Sequence, residues 1–410
     1  MGQLVRQRWA ADLSAYGGRK TRQGFSFDAF VPNPIADLNP SLPTDVALIV
    51  GEAEQSVHQL NGGPAVEDLE AIARQLLRSE SVASSRIEGL ALSQRRLAEA
   101  IFAPDQGDIT AVSVLNNIAA METAIRLGSE ARPFDVDDIL VIHRTLLNTP
   151  IDRRIAGVVR TTQNWIGGRA NTPLGAQFIP PPAAEVPALL DDLCAFINRD
   201  DLLAVAQAAI AHAQFETVHP FGDGNGRVGR CLIHVVLRRR GVAVRYVPPV
   251  SVILATNASA YIAGLTDYRE GDVAGWCGLF AAALRTAGER ALALTARLGE
   301  LQAAWRERAG RPRRDSTTNK LLALLPAYPI VNVATVQAMV GVSDEAARVA
   351  LQALERAGIL SQVTVGRRNR AWTAKDLFGV INAFEWEIAP PDDAAEKRRP
   401  SPTARRPTRR

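Results

Sequence analysis

The stretch His219-Pro-Phe-Gly-Asp-Gly-Asn-Gly-Arg-Val-Gly-Arg230 gathers one histidine, one carboxylate, four glycines and two arginines into twelve residues. Before it, Ala208-Ala-Ile-Ala-His-Ala-Gln-Phe-Glu-Thr-Val218 reads as helix, and Pro220 ends that helix because the residue preceding a proline is pushed out of the α region. His219 is therefore expected at a helix exit. Gly222, Gly224 and Gly226, interleaved with Asp223 and Asn225, permit positive φ and let successive backbone N–H groups converge, with the next helix opening near Asn225. Such a turn makes an anion nest at a helix N-terminus. Arg227 and Arg230 lie three apart on one helix face, and arginine is the side chain best matched to two-pronged phosphate contacts. Asp223 offers a hard oxygen suited to a Mg²⁺ that phosphates and water would otherwise hold. His219, with an ordinary pKa of about 6.5, suits a general base near neutral pH.

Outward from the loop, the pattern is helix after helix from Thr44 to about Arg308. Apolar residues recur at helical spacing in Val66 to Leu77, Ser113 to Leu127, Val136 to Leu147, Ala184 to Ile197, Leu202 to Thr217 and Arg227 to Arg240. An all-α core follows. One interruption, Arg160 to Pro182, reads as two short strands joined by a Gly/Asn/Pro-rich tip and closed by three prolines. Residues 1–45 mix Arg, Gly and Pro and are expected as an extended arm without regular structure.

After a linker at Arg311-Pro-Arg-Arg314, a smaller domain is expected. Asn319 to Leu325, Val333 to Val340 and Ser343 to Ala357 read as three helices, followed by Ile359 to Val365, a turn at Gly366 and Asn369 to Thr373 as a two-stranded wing. That order matches a winged helix-turn-helix. The expected division is 1–45 arm, 46–109 helical region, 110–290 core, 291–314 connecting helix and linker, 315–386 winged domain and 387–410 tail.

Two other phosphate signatures fail. Gly224-Asn-Gly-Arg-Val-Gly229 fits GxGxxG, but a dinucleotide site needs a strand before it and an acidic residue about 20 positions later, where this chain has Arg245-Tyr-Val-Pro-Pro-Val250. No GxxxxGK[ST] is present. The formal charge is +4, yet Pro390 to Arg410 carries seven Lys or Arg against three Asp or Glu, so the remainder is neutral and gives no nucleic-acid footprint. The Pro/Arg/Thr tail is expected to be disordered. Cys194, Cys231 and Cys277 form no metal pattern and read as buried thiols. No apolar run reaches the roughly 18 residues a membrane span needs, and no leader is evident, which makes a cytoplasmic location the expectation.

The twelve residues resemble the signature of the Fic (Fic/Doc) family, HPFx[DE]GNGRxxR, at every defined position. The resemblance implies a Fic core and, as activity, transfer of AMP from ATP to a Ser, Thr or Tyr hydroxyl of a target protein. Carried over, His219 would take the proton of the incoming hydroxyl. Asp223 would hold Mg²⁺ between the α and β phosphates. Asn225 and the amides of Gly222, Gly224 and Gly226 would cradle the α phosphate, Phe221 would anchor the loop, and Arg230, beside Arg227, would grip the γ phosphate. Relatives that transfer phosphate carry Lys where this chain has Gly226, which favours nucleotidyl transfer. The hairpin 160–182 resembles the family's flap, on which a target segment would add as a strand. Tyr261, the one aromatic kept in Tyr261-Ile-Ala-Gly-Leu265, would stack on adenine.

Upstream, Ser84, Glu88 and Gly89 share a helix face and its end, an ordinary pattern by itself. Beside the loop it resembles the family's inhibitory motif [S/T]xxxE[G/N]. Glu88 would then pair with Arg230 and displace the γ phosphate; in some relatives the same glutamate positions a water that removes AMP. A competing reading makes the chain a transcription regulator, but the candidate recognition helix carries Asp344, Glu345 and Glu355 against Arg348 and Arg356, leaving Arg367, Arg368 and Arg370 in the wing as phosphate contacts. A dimer or substrate-docking role for this domain is preferred over DNA. His212 and His234 read as packed or solvent-facing; His58 and His143 show no partner pattern.

Overall fold

The computed structural model describes residues 2–10, 24–62, 69–102, 109–169, 171–365 and 369–388. The tail from 389 onward, the wing residues Gly366, Arg367 and Arg368, and part of the first expected helix, 66–68, lie outside the described residues.

Contrary to the expectation for residues 1–45, regular structure begins at once. Strands β1 (Gly2–Trp9) and β2 (Phe25–Pro32) pair antiparallel from Gly2 opposite Pro32 to Trp9 opposite Phe25. The signal was present as period-two alternation in Phe25, Phe27, Ala29 and Val31, but the prolines and glycines around it masked the pattern.

Helices follow: α1 (Thr44–Gly62), α2 (Leu69–Ile87), α3 (Gln94–Phe102), α4 (Ile109–Gly128), α5 (Val136–Leu146), α6 (Val186–Ile197), α7 (Ala204–Val218), α8 (Asn225–Arg239), α9 (Val250–Thr256), α10 (Ala258–Glu270) and α11 (Val273–Arg308). The fold is all-α with small sheets, as the helical periodicity dictates. Every residue of α7 is buried, because Ala, Val, Ile and Phe cover all its faces, so it runs through the middle of the core and delivers His219 at its C-terminal end. Around α7 pack Phe196 from α6, Cys231 and Val235 from α8, and Trp276 and Phe280 from α11. The three cysteines are buried and unbridged.

The α11 helix is 36 residues long and serves two cores. Its first half joins the main core; Ala291, Leu294, Leu298 and Trp305 join a second core with the C-terminal region. There the order is α12 (Thr317–Leu324), β3 (Ile330–Val331), α13 (Val333–Val340), α14 (Asp344–Arg356), β4 (Ser361–Val365), β5 (Asn369–Thr373) and α15 (Lys375–Ile388). Instead of the expected two strands, three form the sheet, in the order β3-β5-β4. The two-residue β3 is too short to give a period-two signal. The α2 helix touches both cores: Ile72 and Leu76 enter the second, and Arg78 Nη1 donates to the Ala327 carbonyl at 2.5 Å.

The interruption at 160–182 doubles back on itself but forms no continuous ladder. Among described residues its antiparallel pairing consists of two isolated bridges, Ile166 with Phe178 and Arg169 with Thr172. Beside it, the Phe30 amide of β2 donates to the Ile179 carbonyl at 2.9 Å, so the N-terminal strands lie against this flap. No helix among the described residues is long and apolar enough to cross a membrane.

Candidate active site

His219 caps α7 in the left-handed region, φ 49° and ψ 59°, a conformation uncommon outside glycine that histidine, like Asn and Asp, enters more often than other side chains. Pro220 forces the helix to stop, and surrounding bonds hold the strained turn. Arg160 Nε and Asn164 Nδ2 both donate to the His219 carbonyl, at 2.9 and 3.1 Å, and Asn164 also donates to the Phe221 carbonyl. The segment 160–182 is thus tied directly to the loop. Burial pushes the His219 imidazole down to about 4, so it is neutral at neutral pH. Its Nδ1 lies 3.4 Å from the Glu216 carbonyl, which favours a proton on Nδ1 and a lone pair on Nε2.

Phe221 is fully buried, stacked on His143 with ring centroids 3.7 Å apart. His143 lacked any partner pattern in the sequence, yet its Nε2 lies 3.0 Å from the Asp223 carbonyl and its Nδ1 accepts from the Gly157 amide. It is a strut for the loop. Burial holds it down to about 4, consistent with a neutral ring bridging one donor and one acceptor. Only the approach of α5 in space brings this side chain to the loop.

Among the loop glycines, the expectation of positive φ holds at one position. Gly224 has φ 81°, and it starts α8. Gly226 is helical, and a Cβ there would displace the Glu88 carboxylate from its present position. A Cβ on Gly222 meets nothing. Asn225 also departs from expectation. Its Oδ1 accepts from the Phe221 amide and its Nδ2 donates to the Phe221 carbonyl, both at 2.8 Å, so the side chain shapes the loop and is not free to face a phosphate.

No side chain caps α8, and none caps α6, α7 or α9, whereas Asp135, Asn257, Asp272, Ser316, Asn332 and Ser343 cap other helices. Uncapped N–H groups at a helix start form a site for an anion. Asp223 stands exposed at its mouth, with Oδ1 accepting from the Gly224 amide. Arg227 donates to Ser113 Oγ at 2.9 Å and lies 3.7 Å from Asp223.

Arg230 is buried, 1% exposed, and its donors are met by α2. Its Nε donates to Ser84 Oγ at 2.9 Å, and its Nη2 donates to the Ser84 carbonyl and to Glu88 Oε1, both at 2.8 Å. Gly89, with φ 81°, ends the helix one residue later, as its sequence position suggested. Burial works to raise the Glu88 carboxyl, but the charge and hydrogen bond of Arg230 outweigh it and hold the group below the usual carboxylate range. The sequence-expected pair is therefore in contact across 142 residues of chain.

Tyr261 is elsewhere than expected. It is buried, its hydroxyl 2.9 Å from His212 Nε2, and its ring is packed between His212 and Trp276. A side chain so enclosed has no face left for a base. Glu216, unremarked in the sequence, is buried near enough to feel the charge of Arg230, and burial raises its carboxyl to about 7.

Residues 133–237 match the Fic/DOC family and residues 49–126 match the Fic/DOC family N-terminal region. The chain is 33% identical over 169 residues to protein adenylyltransferase fic-1 of Caenorhabditis briggsae, covering 38% of this chain and 30% of the nematode protein. It is 27% identical over 230 residues to protein adenylyltransferase Fic of Culex quinquefasciatus, covering 54% and 42%. The matches thus span less than half the length of these curated relatives. A Fic family protein from Desulfovibrio desulfuricans G20 shares the fold, with TM-score 0.51, 19% identity, and coverage of 82% of this chain and 97% of that one. The matched N-terminal region carries Glu88 and the matched domain carries the loop, so it is residues 49–126 and 133–237 of the chain that match the Fic/DOC family.

Proposed function

We propose that the chain is a protein adenylyltransferase that moves AMP from ATP to a Ser, Thr or Tyr hydroxyl of a target protein, and that Glu88 holds it idle. The observation that carries this reading is the uncapped N-terminus of α8 with Arg230 beside it bound to Glu88. A helix start lacking its cap, flanked by two arginines, fits the polyphosphate of a nucleotide. His219 Nε2 would accept the target hydroxyl's proton as its oxygen attacks the α phosphorus, forming the new P–O bond while the bond to pyrophosphate breaks. Arrival of phosphate charge beside the imidazole favours its protonated form and makes it a stronger base than in the resting state.

Asp223 fits a Mg²⁺ held mainly by phosphate oxygens: it is a single exposed carboxylate at the nest, and no group of three potential metal ligands occurs among the described residues. Such an ion would screen phosphate charge. Arg230 would grip the γ phosphate once Glu88 leaves it, since carboxylate and phosphate seek the same guanidinium edge. Asn225 and Phe221 set the loop's shape.

The order helix, strand, helix, helix, strand, strand in 317–373 supports a winged helix-turn-helix for 315–386. Arg348 is paired with Asp344 on its own helix, which favours protein docking or dimer contact over DNA.

Incubation with ATP labelled at the α phosphate tests the function. The Glu88→Gly protein is expected to label itself or a lysate protein, and His219→Ala in that background is expected to lower labelling at least about a hundredfold. Labelling that survives His219→Ala contradicts the base assignment; label retained from the γ phosphate instead contradicts nucleotidyl transfer.

A further inference from the structure

The α2 helix carries a second carboxylate whose burial the inhibitory contact does not explain. Glu80 is fully buried within a run, Gln75 to Ser85, in which every residue is buried. Its Oε1 lies 3.1 Å from His234 Nε2 and accepts from Ser251 Oγ, and its Oε2 accepts from the Ser251 amide at 2.7 Å. Two elements thus hold it: α8, which carries Arg230, and α9, which Ser251 helps to begin.

The spacing gives this contact its meaning. Glu80 and Ser84 on α2 and Glu88, the first residue past its end, succeed one another at intervals of four, along one face. On α8, His234 and Arg230 are also four apart. Glu80 meets His234, Ser84 meets Arg230, and Glu88 meets Arg230 and the bare Cα of Gly226, so the helices run antiparallel in a fixed register. A slip of one residue along a helix moves a side chain by about 1.5 Å and turns it through about 100°. Glu88 would then miss Arg230. Apolar burial is itself non-directional, whereas a carboxylate bonded to three donors fixes a direction as well as a distance. An apolar group of similar volume is often as stabilising as a buried charge, and the best-attested reason to keep the charge is register.

We propose that Glu80 is the positioning residue of the brake: through His234 and Ser251 it sets the register of α2 on α8 and thereby places Glu88 on Arg230. The proposal rests on reading Glu88 as the inhibitory group. In the test, full-length Glu80→Met and Ser251→Ala are each made in the wild-type and Glu88→Gly backgrounds. AMP incorporation from labelled ATP and amide hydrogen exchange across residues 82–90 are then measured.

Glu80→Met is expected to raise incorporation about fivefold or more in the wild-type background, as an energetic coupling of ordinary size does. In the Glu88→Gly background, where no brake is left to misplace, it should change incorporation less than twofold. Ser251→Ala, which deletes one donor without emptying the core, should show the same pattern more weakly and keeps the test available if Glu80→Met fails to fold. Exchange in 82–90 should quicken in both. Equal losses of activity in both backgrounds show a merely structural role and overturn the proposal. So does unchanged exchange, even if no variant transfers AMP. If Glu88→Gly activates while the Glu80 and Ser251 variants do not, the register role alone falls; if Glu88→Gly has no effect but exchange still quickens, the inhibitory reading falls instead.

Discussion

Two helices in this molecule begin after a turn and carry arginines: α8, which the sequence marks for phosphate, and α14, whose Asp344, Glu345 and Glu355 argue against it. The structure treats them oppositely. At α8 the arginines are buried and held by groups far away in the chain, Arg227 by Ser113 and Arg230 by Ser84 and Glu88, while the helix start is left uncapped. At α14 the start is closed by Ser343, and the exposed Arg348 is satisfied one turn away by Asp344. On the proposed reading, a phosphate site is marked by arginines that long-range contacts hold beside a helix start. Local ion pairs on an open helix mark only a solvated face.

Phe221→Ala attacks the packing that orients the α8 loop, and it should have the largest effect on stability. Loss of a fully buried ring is expected to cost about 3–5 kcal/mol, read from the urea midpoint at constant slope. A cost below about 1 kcal/mol would show that the loop does not depend on its stack with His143.

Glu216→Gln tests the charge near Arg230. Because burial raises this carboxyl to about 7 from an ordinary value near 4.5, the folded state binds more protons than the unfolded state between those pH values. Stability is therefore lost as pH rises from about 4.5 to 7, by up to roughly 3 kcal/mol. His143, His212 and His219, all lowered by burial, act in the opposite sense as pH falls below their unfolded value. The difference in melting temperature between Glu216→Gln and wild type should isolate Glu216, growing from pH 5 to pH 8. A difference independent of pH would show the carboxyl is not held up.

Gly224→Ala should cost about 1–2 kcal/mol, because φ 81° is strained for any Cβ and the methyl would press on Leu146. Thermal unfolding reads this directly. Arg348→Ala on α14 is expected to change stability by less than about 0.5 kcal/mol and AMP incorporation not at all. A clear drop in incorporation would break the contrast between the two helices.

The turn was legible because it is local: His219 ends α7, Phe221 is buried, and Arg227 and Arg230 both lie on α8. Glu88 was legible only beside the loop, since Ser84 and Glu88 are an ordinary helix face until Arg230 lies opposite. What could not be read depends on groups meeting across the fold. His143 and Glu80 sit in unexceptional helical sequence and acquire roles only when α5 packs on the loop and α2 packs on α8. Asn225 was assigned to phosphate on its type, but its side chain closes the turn on Phe221. Tyr261 was assigned to adenine on its spacing, but α10 turns that ring into the core beside Trp276. The β1–β2 hairpin was obscured by the prolines and glycines that flank it.

The central claim is that Glu88 and the nucleotide compete for Arg230, and the most direct measurement compares AMP incorporation from α-labelled ATP by wild-type protein and Glu88→Gly at equal concentration. A charge-assisted hydrogen bond of about 1.5–3 kcal/mol predicts a rise of roughly ten- to a hundredfold on its removal. Equal incorporation by the two proteins would contradict it.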